Sequence, residues 1–346
     1  MKSSTCAGLA ASGEAEPATG PEGFSPRAML VIAFATVYLV WGSTYLAIRF
    51  VLETLPPFLS AGARQLVAGG LLAGWAVWRE RPAFPTASQW KGAAIVGVCL
   101  LMGGNGLVVW AQQRVPSGVA SLLVGISPFW MVLLGWLAFG ERRPGAVTWA
   151  GLVMGFAGLV VLVAPWRAHP AVTAGVVAGA VRQGADFVDP VGALVILAAT
   201  VSWTSGSLYS RRADRPPSKA LNIGMQMLCG GVALVAAGLL TGETARVHFD
   251  AVSLKSALAW LYLVFGGSII GFSAYIYLLS ATSPALASTY GFVNPVVAVF
   301  LGWALAGESV GPRTLAAGGL IVAAVAAISW DGAKKPPAEA IEPERD

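Results

Sequence analysis

One basic side chain lies inside an apolar stretch that is long enough to cross a membrane. Arg64 follows Phe58 by less than two helical turns in a run that continues to Trp78, and its neighbour Gln65 is also polar. An ionisable group within a membrane span is costly, so it marks a functional site by default. We therefore predict that Arg64 binds a carboxylate or another anionic group of a substrate. The alternative is that its side chain reaches the membrane interface or pairs with carbonyls at a helix end.

No Asp, Glu or His lies in the middle of an apolar run, and both histidines, His169 and His248, fall between runs. A proton relay through buried carboxylates therefore lacks its usual residues. We expect facilitated diffusion, exchange, or coupling through the charge of the substrate. Glu141 and Glu308 lie at the ends of two corresponding runs. They are either alternating gates that pair with nearby arginines or charges at helix ends that stay in water.

Two apolar runs contain a proline directly after a short polar residue. Pro128 follows Ser127, and Pro295 follows Asn294. Proline removes a helical hydrogen bond and frees the carbonyl four residues before it. In a membrane such a break persists only where other groups or a water-filled cavity satisfy the backbone. We predict that both prolines are hinges of helices that kink into a cavity; a static kink that improves packing is the alternative.

Polar and aromatic residues recur at helical spacing in most of the apolar runs, which places them on shared faces. Such a lining suits an amphipathic or aromatic small molecule through stacking, cation–π contact and hydrogen bonding. The alternative is an interfacial aromatic belt with hydrogen bonds between helices. Together with Arg64, the predicted substrate-binding, cavity-lining residues are Tyr38, Trp41, Tyr45, Asn105, Gln112, Trp203, Ser205, Gln226, Tyr277, Tyr290 and Asn294.

Membrane-crossing helices must position these residues. The 346 residues are 56% hydrophobic and 11% charged, with a mean hydropathy of +0.70, whereas a soluble domain carries roughly a quarter charged residues. Because a spanning helix needs about 20 mainly apolar residues, we predict an all-α integral membrane protein with ten transmembrane helices. The runs are Ala28–Ile48, Phe58–Trp78, Gly92–Ala111, Gly118–Phe139, Ala146–Ala164, Val191–Tyr209, Leu221–Leu240, Ala257–Leu279, Ala285–Ala306 and Leu315–Trp330.

The chain contains one sequence pattern twice. The matched positions include Trp41 with Trp203, Arg49 with Arg211, Gly62 with Gly224, Gly69 with Gly231, Pro128 with Pro295, and Gly140-Glu141 with Gly307-Glu308. Five spans per half is an odd number, so the second half enters the membrane in the opposite direction. Inverted repeats are typical of secondary transporters, whose halves move around a site near the midplane.

The predicted divisions follow this repeat. A disordered tail covers 1–26, the first five-helix repeat 27–164, a connecting loop 165–188, the second five-helix repeat 189–331, and a second disordered tail 332–346. Lys and Arg are about twice as frequent in the loops on the side of both termini as in the other loops, which predicts cytoplasmic termini. The charge of +5 then reflects basic loops at a membrane surface rather than nucleic-acid binding.

Three stretches resemble the EamA-type transporters of the drug/metabolite transporter superfamily. They are Tyr38–Arg49, Asn105–Gln113 and Phe292–Gly302, and the Gly-Glu pairs that end the fourth and ninth runs fit as well. The likeness covers about 27–330. It implies ten transmembrane helices, a central cavity between the halves, and export or exchange of small metabolites, amino-acid-like compounds or drugs. The rich content of Ala, Gly and Trp suggests a bacterial plasma (inner) membrane.

Several other functions are weighed against transport. An intramembrane enzyme would need a nucleophile with an embedded His, paired aspartates or acidic metal ligands, and the spans contain none of these. The sequence symmetry of the halves favours a transporter over a channel or receptor. A nucleotide-sugar or phosphorylated-metabolite antiporter would need more cationic groups than Arg64. Without a phosphate-binding Gly loop or a metal cluster, we predict no cofactor.

The fifth and tenth runs are rich in Gly and Ala and almost free of polar groups. Small residues allow close helix approach. We predict that these two helices pack at the periphery or between protomers of a homodimer, and we assign them no site residues. The predicted partners are a small-molecule substrate and the lipid bilayer.

Overall fold

A computed structural model of the chain describes residues 25–141, 143–163, 188–282, 287 and 289–333. The predicted connecting loop lies outside these ranges apart from its last residue. The N-terminal tail also lies outside them except for residues 25 and 26, and so does the C-terminal tail except for residues 332 and 333, which belong to a helix. The regular secondary structure of the described residues is entirely helical.

Ten long helical segments follow one another in these ranges, numbered here in chain order. They are α1 (26–51), α2 (Pro57–Glu80), α3 (Ala87–Ala111), α4 (Ser117–Phe139), α5 (Ala146–Val163), α6 (Pro190–Ser210), α7 (Lys219–Leu240), α8 (254–281), α9 (Tyr290–Ala306) and α10 (Pro312–Ala333).

Most of these helices have the length and composition of membrane spans. In the described ranges six are long and apolar enough to cross a membrane, namely α1, α3, α4, α6, α7 and α8, while α5, α9 and α10 contain shorter apolar helices. In α2, which is 24 residues long, Arg64 and Gln65 lower the hydropathy. The chain can therefore cross a membrane several times, and the full set of ten spans stays a prediction.

Short polar residues start several of the helices. The Asp189 carboxylate accepts a hydrogen bond of 2.6 Å from the N–H of Gly192 at the start of α6, where Pro190 follows the cap. Such caps satisfy N–H groups that the helix itself leaves without partners. The same arrangement begins α1, α3, α7 and α8 with Ser25, Thr86, Ser218 and Ser253.

The ends of the helices meet in two groups at opposite ends of the molecule. We call the end where α1 begins the terminal face and the other end the distal face. At the distal face Lys255 pairs with Glu53 at 2.6 Å. At the terminal face Arg212 donates a hydrogen bond of 2.5 Å to the carbonyl of Phe139. Successive helices thus run in alternating directions.

Helices α2 and α7 cross at close range because glycines face one another. A Cβ atom on Gly69 would lie 2.9 Å from the carbonyl oxygen of Gly224, and one on Gly224 would lie 3.0 Å from that of Gly69. Further along, a Cβ on Gly62 would lie 3.1 Å from the carbonyl oxygen of Gly231. The contact therefore depends on the missing side chains.

Helices α5 and α10 pack along each other within one chain. A Cβ atom on Gly158 would lie 3.0 Å from side-chain atoms of Ile321, and one on Gly155 would lie 3.3 Å from Ala324. On the opposite face of α5, Val153 and Phe156 are exposed. The small residues of these helices are thus used inside the chain, and a homodimer through α5 and α10 stays a prediction.

We predict that Gly69→Val destabilises the folded protein by about 1–3 kcal/mol, because the added methyl groups collide with the backbone of α7. The matched control is Gly70→Val, since no atom lies within 4 Å of a Cβ at Gly70. Thermal unfolding of the purified proteins in detergent measures both variants. Equal melting temperatures for the two variants would contradict the close crossing.

Candidate functional site

A cavity lies between helices from both halves of the sequence. It has an empty volume of about 840 Å³, including the solvent at its opening. Helices α1, α2, α3, α4, α6, α7, α8 and α9 all contribute lining residues, whereas none of the described lining residues comes from α5 or α10.

Arg64 is the cationic residue among the described residues that line this cavity. It is 4% exposed, so its side chain is enclosed by other parts of the protein. Its guanidinium donates a hydrogen bond to the Oδ1 atom of Asn105 on α3. No carboxylate of the described residues pairs with Arg64, and Nε has no hydrogen-bond partner among them. A buried charge with one neutral partner is poorly compensated.

Other polar atoms at the cavity share this lack of partners. The Oε1 atom of Gln65, the Oδ1 atom of Asn294, the Nε1 atom of Trp203 and the Oγ atom of Ser268 are buried without a hydrogen-bond partner among the described residues. Buried polar groups in proteins are normally hydrogen-bonded to protein or water. The hydrogen-bonding capacity of these atoms is therefore left unused by the described residues.

Four aromatic side chains form a cluster, one from each of α1, α6, α8 and α9, and those from α1, α6 and α9 line the cavity. The ring of Trp41 lies 5.9 Å from Trp203, 5.0 Å from Tyr275 and 5.3 Å from Tyr290. Its Nε1 atom donates a hydrogen bond of 3.2 Å to the carbonyl of Gly267. We call these four residues the aromatic cluster.

Three of the helices contain π-helical segments, which the sequence analysis did not predict. They are Val37–Trp41 in α1, Val98–Gly106 in α3 and Leu263–Gly271 in α8. The π form has wider turns and is common at functional sites. The two longer segments bring Gly104, Asn105, Gly267 and Ser268 to the cavity. A pair of glycines does not mark them, because Gly69-Gly70 and Gly230-Gly231 lie in regular α-helices.

The structure brings part of the predicted set to the cavity. The predicted residues that line it are Trp41, Tyr45, Arg64, Asn105, Trp203, Tyr290 and Asn294. The sequence analysis missed Thr44, Gln65, Ser127, Thr200 and Ser268 as lining residues. Each is a small or amide-bearing polar residue in an apolar run, and that pattern alone could have indicated them.

Five predicted residues lie away from the lining. Tyr38 makes a hydrogen bond of 2.6 Å with Thr289. Ser205 donates to the carbonyl of Val201 in its own helix at 2.8 Å, which is a common use of serine in membrane helices. Gln226 donates to Asn222 in its own helix at 3.3 Å.

The other two are Gln112 and Tyr277. Gln112 is buried in the turn just after α3. Tyr277 is half-buried. Its neighbour Tyr275, rather than Tyr277 itself, belongs to the aromatic cluster. The π-helical segment Leu263–Gly271 precedes both residues in α8.

The two prolines have different local structures. Helix α4 is interrupted between Val124 and Ser127, and the Ser127 hydroxyl donates a hydrogen bond of 2.6 Å to the carbonyl of Val124 that Pro128 frees. Pro295 lies inside the uninterrupted helix α9. That helix begins at Tyr290, so the lost bond falls in its first turn. The predicted hinge role of both prolines stays a prediction.

Each proline nevertheless packs near a glycine of the helix that contains the other proline. A Cβ atom on Gly125 would lie 3.3 Å from Cγ of Pro295, and one on Gly291 would lie 3.3 Å from Cγ of Pro128. Helices α4 and α9 therefore cross close to their prolines, next to the lining residues Ser127 and Asn294.

An ion pair at the distal face joins α1 to the end of α9. Arg49 lies 3.0 Å from the Glu308 carboxylate, whose side chain is 6% exposed. The same carboxylate accepts hydrogen bonds from the N–H groups of Ser117 and Gly118, at 2.8 and 3.1 Å. Glu308 therefore also caps the start of α4, where the helix dipole favours a negative charge.

A second ion pair at the terminal face joins the corresponding residues of the repeat. Arg211 lies 2.7 Å from the Glu141 carboxylate, and the Glu141 side chain is 44% exposed. Both glutamates follow a glycine in the left-handed conformation, Gly140 at φ 66° and Gly307 at φ 62°. The two pairs have the same local construction but differ in burial.

The chain is similar to known membrane transporters over most of its length. A model of the EamA-like transporter family matches residues 28–164 and 190–330. The inner membrane transporter YedA of Escherichia coli K12 is 36% identical over 86% of this chain and 89% of its own. PecM of Dickeya dadantii is 28% identical, with 76% and 80% covered. A probable amino-acid metabolite efflux pump of E. coli K12 is 24% identical, with 75% and 81% covered.

The fold also resembles that of a solved crystal structure. That structure has a TM-score of 0.58 and 20% sequence identity, with 89% of this chain and 99% of the other chain covered. At this identity the likeness concerns the fold alone. With the membrane-length helices, the similarity to inner membrane transporters identifies a multi-pass membrane protein.

We predict that Asn105→Ala costs about 1–3 kcal/mol of stability, because the buried guanidinium of Arg64 loses its hydrogen-bond partner. In an Arg64→Met background the same substitution should cost clearly less, since the charge is gone. Thermal unfolding of the wild type, the single variants and the double variant in detergent gives the coupling energy. Additive losses in the double variant would contradict the interaction.

Proposed function

Because the chain belongs to the EamA-like transporter family, we propose that it is a secondary transporter that exports or exchanges small organic molecules by alternating access. The observation that carries this proposal is the pair of ion pairs, Arg49–Glu308 and Arg211–Glu141, made by corresponding residues at opposite ends of the molecule. A carrier with one central cavity needs a closure on each side, and this arrangement supplies both.

The proposal includes ten spans in two inverted five-helix repeats. It is supported by contacts that exchange under the repeat. In the repeat, Gly62 corresponds to Gly224 and Gly69 corresponds to Gly231. If the two halves are exchanged, the contact between Gly62 and Gly231 becomes the contact between Gly224 and Gly69. Both contacts are present. Two-fold related halves can rock about such a crossing while the cavity stays between them.

The conformation described here is closed more tightly at the distal face. Glu308 is buried and holds Arg49 and the start of α4 together, whereas Glu141 is largely exposed. In the proposed cycle the distal ion pair separates as the terminal pair becomes buried. The substrate is then released at the face opposite to the one where it entered. Pro128 and Pro295, at the crossing of α4 and α9, are the hinges of this motion.

We further propose that both termini are cytoplasmic, because basic residues are more frequent in the loops of the terminal face. The cavity then opens toward the cytoplasm when the distal pair is closed. Loading from the cytoplasm is what efflux requires, and a relative at 24% identity is named as a probable amino-acid metabolite efflux pump.

Neither catalysis nor phosphate transport has a specific observation in its favour. The described lining residues include no acid, histidine or cysteine that could act in an intramembrane reaction. They include one cationic residue, Arg64, where a phosphorylated substrate would require several. We therefore propose a transporter rather than an enzyme, and an organic metabolite rather than a phosphate ester.

We predict that cells producing the protein accumulate a small set of related compounds in the medium and that Arg64→Ala lowers this accumulation about tenfold or more. The reason is that a hydrogen bond to a charged group contributes about 1.5–3 kcal/mol. Untargeted metabolite profiling, at equal membrane abundance, makes the comparison. The control is Lys255→Gln, which removes a cation at the surface and should leave export unchanged.

Two results would count against this account. Identical metabolite profiles of cells and medium for producing and non-producing cells would contradict transport. Equal export by the wild type and Arg64→Ala would keep the transporter and remove Arg64 from the substrate path.

We predict that Glu308→Gln shifts the molecule toward opening at the distal face, by about 1 kcal/mol or roughly fivefold in population, since one partly exposed ion pair is lost. Glu141→Gln should shift it the opposite way by less, because that pair is more exposed. Distances between pairs of spin labels measure both shifts. The labels at the distal face are attached to Glu53→Cys and Ser309→Cys, and those at the terminal face to Arg143→Cys and Asp214→Cys.

These labels are placed in a variant without Cys6, Cys99 and Cys229. In Glu308→Gln the distal distance should lengthen while the terminal distance shortens. Distances that change at one face only, or not at all, would show that the ion pairs do not act as coupled gates.

A further inference from the structure

We infer that the substrate binds as an organic anion, with a carboxylate at Arg64, an apolar or aromatic body against the aromatic cluster, and no ammonium group. This inference rests on the proposed function and specifies the class of molecule that the cavity takes.

The charge of the cavity favours an anion. The described lining residues contain the guanidinium of Arg64 and no Asp or Glu. Arg64 is 4% exposed and has a neutral partner, the amide of Asn105. A monocarboxylate would bring the cavity to neutrality, whereas a zwitterion would leave the same net charge as the empty site. An isolated buried charge is unfavourable, so the anion gains most from binding.

The geometry of the Arg64 guanidinium favours a carboxylate. One of its nitrogens is taken by Asn105, and Nε has no partner among the described residues. A planar guanidinium with free donors matches the two oxygens of a carboxylate. Asn105 fixes the direction of the group, since the π-helical segment of α3 brings this amide to the cavity.

The arrangement of the aromatic rings bears on where an ammonium group could bind. An open ring face attracts a cation, but the rings of the aromatic cluster cover one another. Trp41 meets Tyr290 at 90° and Trp203 at 85°, and Tyr275 meets Tyr290 at 90°. In each contact the edge of one ring covers the face of the other. The cluster therefore uses part of its ring-face area in contacts within itself and leaves less of that area open to a cation.

The remaining unpartnered atoms suit neutral substituents. The Gln65 and Asn294 amides and the Ser268 hydroxyl line the cavity, each with an atom that lacks a partner among the described residues. The Gln65 and Asn294 atoms are carbonyl oxygens, which accept hydrogen bonds from hydroxyl groups on the body of the substrate, and the Ser268 hydroxyl can donate to a carbonyl group there. None of them carries a charge that could compensate an ammonium ion.

Three compounds with the same skeleton separate the possibilities. 3-Phenylpropionate carries the carboxylate alone, L-phenylalanine carries carboxylate and ammonium, and phenethylamine carries the ammonium alone. Their binding to the intact purified protein in lipid nanodiscs is measured by isothermal titration calorimetry at pH 8. We expect 3-phenylpropionate to bind on the order of tenfold more tightly than L-phenylalanine, the affinity ratio for one poorly compensated charge, and phenethylamine to bind weakest.

Arg64→Gln should abolish the preference for 3-phenylpropionate, and Lys255→Gln should leave it unchanged. Binding of L-phenylalanine that equals or exceeds that of 3-phenylpropionate would overturn the inference. So would a preference that survives in Arg64→Gln, or the absence of binding by all three compounds. None of these results bears on transport itself, because metabolite export and the distances at the two gates are measured without these compounds.

Discussion

The structure depends on one constraint, which is that lipid offers no hydrogen-bond partner to a polar group. Each break in a membrane helix must therefore be satisfied by the protein or face a cavity. The interruption of α4 follows this rule, because the Ser127 hydroxyl accounts for the carbonyl that Pro128 frees. Arg64 follows it as well, buried against Asn105 at the cavity. The polar and irregular parts of the chain are thereby concentrated around the cavity.

The same constraint makes the ends of the helices suitable as gates. Glu308 serves as the cap of α4 and as the partner of Arg49, so opening the distal face exposes both a helix end and an arginine. The corresponding Glu141 holds Arg211 in a more exposed position. Two similar closures of unequal burial are what a carrier would have in one of its two end states. The proposed cycle exchanges their burial.

Much of this arrangement could be predicted from the sequence, because apolar runs, the repeat and the ionisable residues are local patterns. Arg64 and Asn294 lie in regular α-helices and line the cavity, and Glu141 and Glu308 form ion pairs at helix ends, as the sequence indicated. Tyr277 lies away from the cavity lining, and the π-helical segment Leu263–Gly271 precedes it in α8. Tyr38 lies away from the lining and bonds to Thr289, a partner 251 residues away that the sequence does not indicate. Gln226 bonds to Asn222 one helical turn away, a pairing that helical spacing does allow for.

The central claim is that one cavity is reached from both faces, and thiol labelling tests it most directly. Thr200→Cys places a single thiol at the cavity in a variant without Cys6, Cys99 and Cys229. The protein is treated with a membrane-impermeant reagent in right-side-out and in inverted vesicles. The account predicts labelling from both faces, faster from the terminal face. Labelling from one face alone, with Glu308→Gln and Glu141→Gln both without effect, would contradict alternating access.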